Sequence, residues 1–278
     1  MSTAYYNGRS LPLEEVSISP LDRGFLFGDS VYEVIPCYGG KLFCLRQHLD
    51  RLSRSLTALR IKNPLTFPEW SDVLNKLVSD NNNGDQLIYL QVTRGVAPRE
   101  HRFPDVIPTV FAMSQCWQRP AIPEPVTVIT AIDNRWNRCD IKATTLLANV
   151  LFRQNAVEAA CSECLLIRDG LLIEGAASNV FVLSNGIVRT PPCSSVMLSG
   201  ISRQVVLDLL GDMSLPVETT SITVEDLGLA EELWITSSSM EVRPVIAVDG
   251  RPVGSGVAGP VWECLFRRFR KVTNTNVH

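Results

Sequence analysis

Lys142, in Cys139-Asp140-Ile141-Lys142-Ala143, stands between a tryptophan-containing strand end and the apolar start of a helix. Burial at such a place disfavours the ammonium form and makes the amine a nucleophile, the state a lysine needs to condense with a carbonyl. Taken alone, the same position reads as a surface lysine. Glu174 ends the apolar pair Leu172-Ile173, and Gly175-Ala176-Ala177 after it are small enough to let a backbone approach something closely. A carboxylate there can hold a pyridine nitrogen protonated and so turn a ring into an electron sink. The plainer reading is a strand-terminal glutamate above a tight turn. Leu198-Ser199-Gly200-Ile201-Ser202-Arg203 enters a helix through a glycine. Free N–H groups and the positive dipole end make that entry a phosphate seat, or simply a capped helix start. Thr236-Ser237-Ser238-Ser239 adds hydroxyl donors after a strand, with the same two readings. An imine-forming lysine, a pyridinium partner and a phosphate cup converge on one ligand, pyridoxal 5'-phosphate.

Positioning these groups takes elements from the whole chain. Asn7-Gly8 is a turn signal, and Gly39-Gly40 separates a strand over 31–38 from one over 41–45. Residues 46–60 switch to helical period, with Leu49, Leu52, Leu56 and Leu59 on one face. A second helix spans 68–79 through Trp70, Val73, Leu74 and Leu77, Asn81-Asn82-Asn83-Gly84 breaks it, and 86–94 alternates as a strand. The stretch 116–125, with Pro120, Pro123 and Pro125, is the expected linker. It divides the chain into an N-terminal domain, 1–118, and a C-terminal domain, 119–278, that carries Lys142. A strand over 126–131, a helix over about 145–160 and hairpins at Asp169-Gly170 and Asn185-Gly186 follow. A helix over 202–210, a hairpin at Asp249-Gly250 and a closing helix over 260–272 complete the second half. The cluster Arg267-Arg268-Arg270-Lys271 reads as a solvated last turn that complements the helix dipole. Hairpins mixed with helices indicate α+β halves rather than a doubly wound parallel sheet.

Composition narrows the partners. With 278 residues, 45% hydrophobic and 20% charged, the chain has room for two cores and the balance of a soluble protein. A net charge of −3 argues against a nucleic-acid partner. No apolar run approaches the roughly 20 residues that span a bilayer. The first thirty residues carry Glu14, Glu15 and Asp22 and lack an apolar signal core, so a cytoplasmic enzyme is expected. Eight cysteines are scattered and no disulfide is expected; Cys161 and Cys164 form a C-x-x-C without a second pair. The histidines, His48, His101 and His278, show no metal-ligand spacing, and no metal is expected.

Glu174-x-small-x-x-Asn179-Val180-Phe181, then Val188-x-Thr190, then Leu198-x-Gly200-Ile201-x-Arg203 resembles the signature of the class-IV aminotransferases, with its spacings kept over thirty residues. Asp22-Arg23-Gly24, Phe27-Gly28-Asp29, Val31-Tyr32-Glu33-Val34, His48-Leu49-Asp50-Arg51-Leu52 and Arg135-Trp136-x-Arg138-Cys139-Asp140-Ile141-Lys142 extend the likeness over nearly the whole chain. Gln91-Val92-Thr93-Arg94-Gly95 and Pro98-Arg99-x-His101-x-Phe103-Pro104 narrow it to the D-amino acid branch. The resemblance implies a fold-type IV pyridoxal-phosphate enzyme, two α+β domains with the cofactor in the cleft between them, and a homodimer. It assigns the cofactor to Lys142, the ring nitrogen to Glu174 and the ring face to Leu198. Phosphate goes to Arg51, Gly200, Ile201, Ser202 and Ser238, although Arg51 lies off the leucine stripe of its helix. Tyr32, Arg99 and His101 become the trap for the substrate carboxylate, a role suited to a guanidinium fork and two further donors.

There are three departures from the family pattern. Ser202 stands where threonine is common, Ala176-Ala177 replace a serine pair, and Arg243 replaces a small residue read as lying on the substrate side. The reaction implied is ping-pong transamination of D-alanine and 2-oxoglutarate to pyruvate and D-glutamate. Other chemistries share the cofactor set. A branched-chain L-aminotransferase is disfavoured by the Arg99-x-His101 loop, and an (R)-amine transaminase would lack a full carboxylate trap. An aminodeoxychorismate lyase eliminates pyruvate instead, and a non-catalytic carrier would need neither Lys142 nor Glu174.

Overall fold

The computed structural model describes residues 2–82 and 84–275; Asn83 and His278, both used above, lie outside the described residues. The chain folds as two compact units: Met1–Arg119 with Ile141–Thr145 and Thr273–His278, and Pro120–Asp140 with Leu146–Val272.

The first unit is built on β1 (Thr3–Tyr6), β2 (Arg9–Pro12), α1 (Arg23–Phe27), β3 (Ser30–Tyr38), β4 (Lys41–Leu42), α2 (Leu45–Ala58), α3 (Phe67–Asp80), β5 (Gln86–Thr93) and β6 (Thr109–Cys116). Its strands form one antiparallel sheet in the order β2-β1-β6-β5-β3-β4. Strand alternation turns Val31 and Ile35 of β3 inward with Ile88 and Leu90 of β5, and α2 covers them with Leu49, Leu52 and Leu56. Trp70, Leu74 and Leu77 of α3 complete that core, as their helical spacing predicts. Thr66 and Glu69 start α3 with a capping box.

The linear division at 118/119 places Lys142 in the C-terminal half, whereas the structure assigns its segment to the first unit. Ala143 pairs with Val31, and the Tyr32 N–H donates to the Lys142 carbonyl at 3.0 Å. Ile141 and Ala143 are buried in the first core. The segment is thus an extended strip fastened to β3.

The second unit contains β7 (Val126–Ile132), α4 (Leu147–Glu158), β8 (Glu163–Arg168), β9 (Leu171–Gly175), β10 (Asn179–Ser184), β11 (Ile187–Thr190), α5 (Ile201–Asp212), β12 (Val217–Thr219), β13 (Ile222–Thr223), α6 (Val224–Gly228), β14 (Glu232–Ser237), β15 (Glu241–Val248), β16 (Arg251–Pro252) and most of α7 (Pro260–Thr275). The sheet runs β12-β11-β10-β14-β15-β7-β8-β9-β13 with β16 on β15, and is mixed: β7 lies parallel to both β15 and β8. Val180, Val182, Leu233 and Ile235 line one face, and Phe181 stacks on Trp234 on the other. The closing helix departs from the solvated reading at one residue. Arg270 is half-buried and pairs with the buried carboxylate of Glu241 at 2.9 Å, because the helix passes the start of β15. Among the described residues no helix is long and apolar enough to cross a membrane.

Candidate active site

In the first unit, the Lys142 Nζ lies 4.3 Å from the centroid of the Tyr32 ring. The Lys142 backbone N–H donates to Ser55 Oγ at 3.2 Å and its carbonyl accepts from Tyr32, so the residue is fixed at both peptide groups. Its side chain is half-buried.

Beside it lies a buried charge cluster whose three members all stand in the sequence motifs, although only Arg51 had a role there. Arg51 reads as a surface residue on the leucine wheel, yet it is buried. Its Nε and Nη2 fork onto Glu33 Oε1 and Oε2 at 2.8 and 2.7 Å. His48 Nδ1 reaches the same carboxylate at 2.8 Å. Burial raises the Glu33 pKa, but the Arg51 charge and hydrogen bonds outweigh it and hold the group down at about 2. For His48 burial dominates and lowers the pKa, and the Lys142 charge pushes the same way. The inward parity of Val31, Glu33 and Ile35 in β3, with His48 and Arg51 three apart on α2, was the available signal.

Arg99 and His101 rest on an aromatic ring of their own unit. Both are exposed on the loop after β5, and both face Phe27. The Arg99 guanidinium lies 5.1 Å and the His101 ring 5.4 Å from that ring. Their spacing holds them on one loop, but loop residues have no periodicity that tells from sequence where the loop docks.

In the second unit, Glu174 is 4% exposed. Its Oε1 accepts from Arg135 Nη1 at 2.7 Å; its Oε2 accepts from the Leu198 N–H at 3.1 Å and Asn179 Nδ2 at 3.3 Å. Arg135 grips Asp133 as well, Nε to Oδ1 at 2.9 Å and Nη2 to Oδ2 at 3.1 Å. Burial opposes the Arg135 charge, but its two carboxylate partners raise its pKa. Burial pushes Glu174 up to about 7 against the pull of Arg135. The result is a desolvated, fully hydrogen-bonded carboxyl poised near neutrality. Asn179 and Arg135 stood in the sequence motifs without a role; the structure makes them the partners of Glu174.

Leu198 is half-buried, and its carbonyl accepts from Asn179 Nδ2 at 2.8 Å, which locks the entry to α5. Gly200 is the N-cap of α5 and supplies no side-chain cap, so the first-turn N–H groups of the helix are left for an anion. A Cβ at Gly200 would stand 2.0 Å from Asn179 Oδ1, so this approach requires glycine. Ile201 and Ser202 open the helix, with Ser202 buried. Ser238 is half-buried in the turn between β14 and β15, where the Ser237 Oγ accepts from the Met240 N–H at 3.1 Å. Thr236, opposite Asn179 in the β10–β14 pair, has a buried Oγ1 without a hydrogen-bond partner among the described residues.

The alanine pair and Arg243 are accounted for by their positions. The Ala177 N–H and the Ser178 hydroxyl both donate to Glu163 Oε2, and the Ala176 carbonyl accepts from Asn149. The turn after Glu174 is held without hydroxyls at 176 and 177. Arg243 lies opposite Ile235, and Thr236 opposite Val242. Adjacent strand residues point to opposite faces, so Arg243 shares the face of Leu233 and Ile235, not that of Asn179 and Thr236.

Comparison with known proteins gives the chain its family. The family model of amino-transferase class IV matches residues 30–248. A D-alanine aminotransferase of Bacillus licheniformis is 42% identical over 259 residues, 92% of each chain. One from Staphylococcus haemolyticus is 38% identical over 275 residues, 98% of each. A T.th. branched-chain amino acid aminotransferase complexed with N-(5'-phosphopyridoxyl)-L-glutamate superposes with a TM-score of 0.91 at 26% identity, covering 99% of this chain and 95% of its own. With the family model spanning the greater part of the sequence and two relatives aligned nearly end to end, the chain belongs to the class IV aminotransferases.

Proposed function

We propose that the protein is a pyridoxal-phosphate-dependent D-amino acid aminotransferase that converts D-alanine and 2-oxoglutarate into pyruvate and D-glutamate. The observation that carries the reading is Glu174, a buried carboxyl braced by Arg135, Asn179 and the Leu198 N–H and poised at about 7. The rest of the donor set fits the same group. The first turn of α5 is uncapped by side chains, and the Thr236 hydroxyl is buried without a partner among the described residues.

When bound, the cofactor would supply an aldehyde for the substrate's amino group and a ring able to take up the electron pair left by the α-proton. Lys142 would hold the cofactor through Nζ, and the same amine, when free, would take the α-proton. The Tyr32 ring face, 4.3 Å away, stabilises the ammonium that results. Glu174 holds a proton on the ring nitrogen, and Arg135 keeps the carboxylate charged enough to do so. Arg51, Gly200, Ile201, Ser202 and Ser238 bind phosphate, and Leu198 packs on the ring. Tyr32, Arg99 and His101 take the substrate carboxylate.

The preference for D-alanine is supported by the names of the relatives and by the Arg99-x-His101 loop. The working form is a homodimer. Leu147, Val150 and Leu151 form an exposed apolar stripe on α4, and Arg99 and His101 are exposed on their loop, where a second copy can receive them. Stopped-flow loss of the cofactor's visible absorbance with D-alanine, L-leucine and (R)-phenylethylamine tests the reading. D-alanine should react fastest, and preference for either of the others would overturn it.

A further inference from the structure

The segment Asp22–Asp29 matches the opening of the family, yet nothing in the chemistry above uses it. In the structure it is bound throughout to the loop that carries Arg99 and His101. Asp22 is 1% exposed, and its Oδ2 accepts from the hydroxyls of Thr93 at 3.0 Å and Thr109 at 2.7 Å. Thr93 ends β5 and Thr109 begins β6, so one carboxylate ties the two ends of the loop. The Arg23 N–H donates to the Gly95 carbonyl at 3.0 Å and the Ala97 N–H to the Leu21 carbonyl at 3.3 Å. Gly95, at φ 114°, packs so closely on the Ile107 carbonyl that an added Cβ would stand 2.2 Å from its oxygen. The neck of the loop is therefore closed.

Arg23 holds the tip. Its side chain is 4% exposed, Nη1 donates to the Glu100 carbonyl, and Nη2 reaches the His101 carbonyl at 3.5 Å. These peptide groups follow Arg99 directly and include His101 itself. The Arg23 guanidinium also lies 4.8 Å from the Phe27 ring, the surface against which Arg99 and His101 rest. Asp29 accepts from Arg23 Nε at 2.8 Å and from Arg94 Nε and Nη2 at 2.8 and 3.0 Å. It offsets the Arg23 charge that would otherwise repel Arg99. Arg94 in turn covers the Phe103 ring at 3.7 Å. Each anchor grips backbone, an aromatic face or a stem hydroxyl, and leaves the Arg99 and His101 functional groups exposed.

We propose that Arg23, with Asp22 and Asp29, is a positioning residue for substrate specificity: it clamps the loop so that Arg99 and His101 are presented in one fixed geometry to a carboxylate. The proposal rests on the reading of Arg99 and His101 as the carboxylate trap. A buried guanidinium that fills two carbonyls at once suits this task, since lysine cannot span both.

The test compares cofactor-loaded wild type, Arg23→Gln, Arg23→Lys and Arg99→Ala. Amide hydrogen exchange over 96–106 reads the loop directly; KM and kcat for D-alanine, with rates for (R)-phenylethylamine, read its consequence. Arg23→Gln should speed exchange in the loop at least tenfold. It should raise KM for D-alanine about tenfold while lowering kcat less, and Arg23→Lys should fall between. If Arg23→Gln does not fold, Arg23→Lys carries the test with the same directions. Loop exchange unchanged in the folded variant overturns the clamp. If Arg99→Ala raises KM but the Arg23 variants do not, the clamp fails while the carboxylate trap stands. If Arg99→Ala leaves KM unchanged, the trap itself fails and the specificity role of Arg23 with it.

Discussion

Replacing Arg135 by methionine isolates the electrostatic control of Glu174. The side chain keeps its apolar stem and loses the guanidinium that donates to Glu174 at 2.7 Å. Glu174 retains the Leu198 N–H and Asn179, and Asp133 retains Arg168 at 3.0 Å. A hydrogen bond to a charged group is worth about 1.5–3 kcal/mol, and one pKa unit is about 1.4 kcal/mol. The carboxyl should therefore move up by roughly one to two units from its position at about 7. At pH 7.5 its ionised share drops from about three-quarters to between about a quarter and a few per cent. If only the carboxylate keeps the ring nitrogen protonated, the single-turnover rate with D-alanine falls roughly three- to twentyfold at that pH. It recovers as the pH is raised by one to two units. The apoenzyme gives an independent reading. With the folded pKa raised, the stability tied to Glu174 is present below its ordinary value and lost as pH climbs through about 7. Arg135→Met should shift that loss upward, on top of the roughly 3–5 kcal/mol cost of breaking a buried pair. Arg135→Lys should shift it less. A pH–rate profile for Arg135→Met that superimposes on wild type would refute the reasoning, because Arg135 would then have no hold on the charge of Glu174.

Lys142→Ala should abolish borohydride fixation of the cofactor and nearly all turnover; fixation that persists would name another lysine. Glu33, held down at about 2, contributes stability above its ordinary value that is lost as pH falls toward 2. Acid titration of the apoenzyme's melting temperature should show about 3 kcal/mol of that loss in wild type and much less in Glu33→Gln, and equal slopes would contradict it. Arg99→Ala and Lys142→Ala chains, the first weakened and the second inactive with D-alanine, should regain activity when co-expressed, because one site of the proposed dimer, when mixed, then receives both native residues. No recovery, with mixed dimers present, would place Arg99 in the site of its own chain.

The periodic parts of the fold were legible. The leucines over 46–60 formed α2 (Leu45–Ala58), and the alternation from Gln86 formed β5, each within two residues of the expected bounds. Side-chain period is a property of neighbours in sequence, and it sets both the element and its buried face. The fork between Arg51 and Glu33 joins residues 18 apart, and the ion pair between Arg135 and Glu174 joins residues 39 apart. No local pattern encodes such pairings. Arg51 was misplaced on the wheel because a buried ion pair widened the inward face of α2 beyond its leucines to include His48, Arg51 and Ser55. The Glu174 motif was legible because small residues and Asn179 are required within a few positions of the carboxylate. The anchoring of Arg99 and His101 was not, since it depends on carbonyls held by Arg23, which lies 77 residues from Glu100.

The excursion of Ile141–Thr145 into the first unit sets a schedule for biosynthesis. When the ribosome has made Arg119, the N-terminal body still lacks the strip that covers Val31 and supplies Ile141 and Ala143 to its core. Another 26 residues must be translated before Thr145 exists. At the usual 5–20 residues per second that is a wait of about 1–5 s. The nascent body must pass that interval incomplete, its apolar edge open to chaperones or to the same edge on a neighbouring polysome chain. Arrested chains ending shortly after 119 should be cut readily by protease on the ribosome. Those that have cleared the exit tunnel beyond 145 should resist, and equal resistance at both lengths would show that the body closes without its borrowed strip.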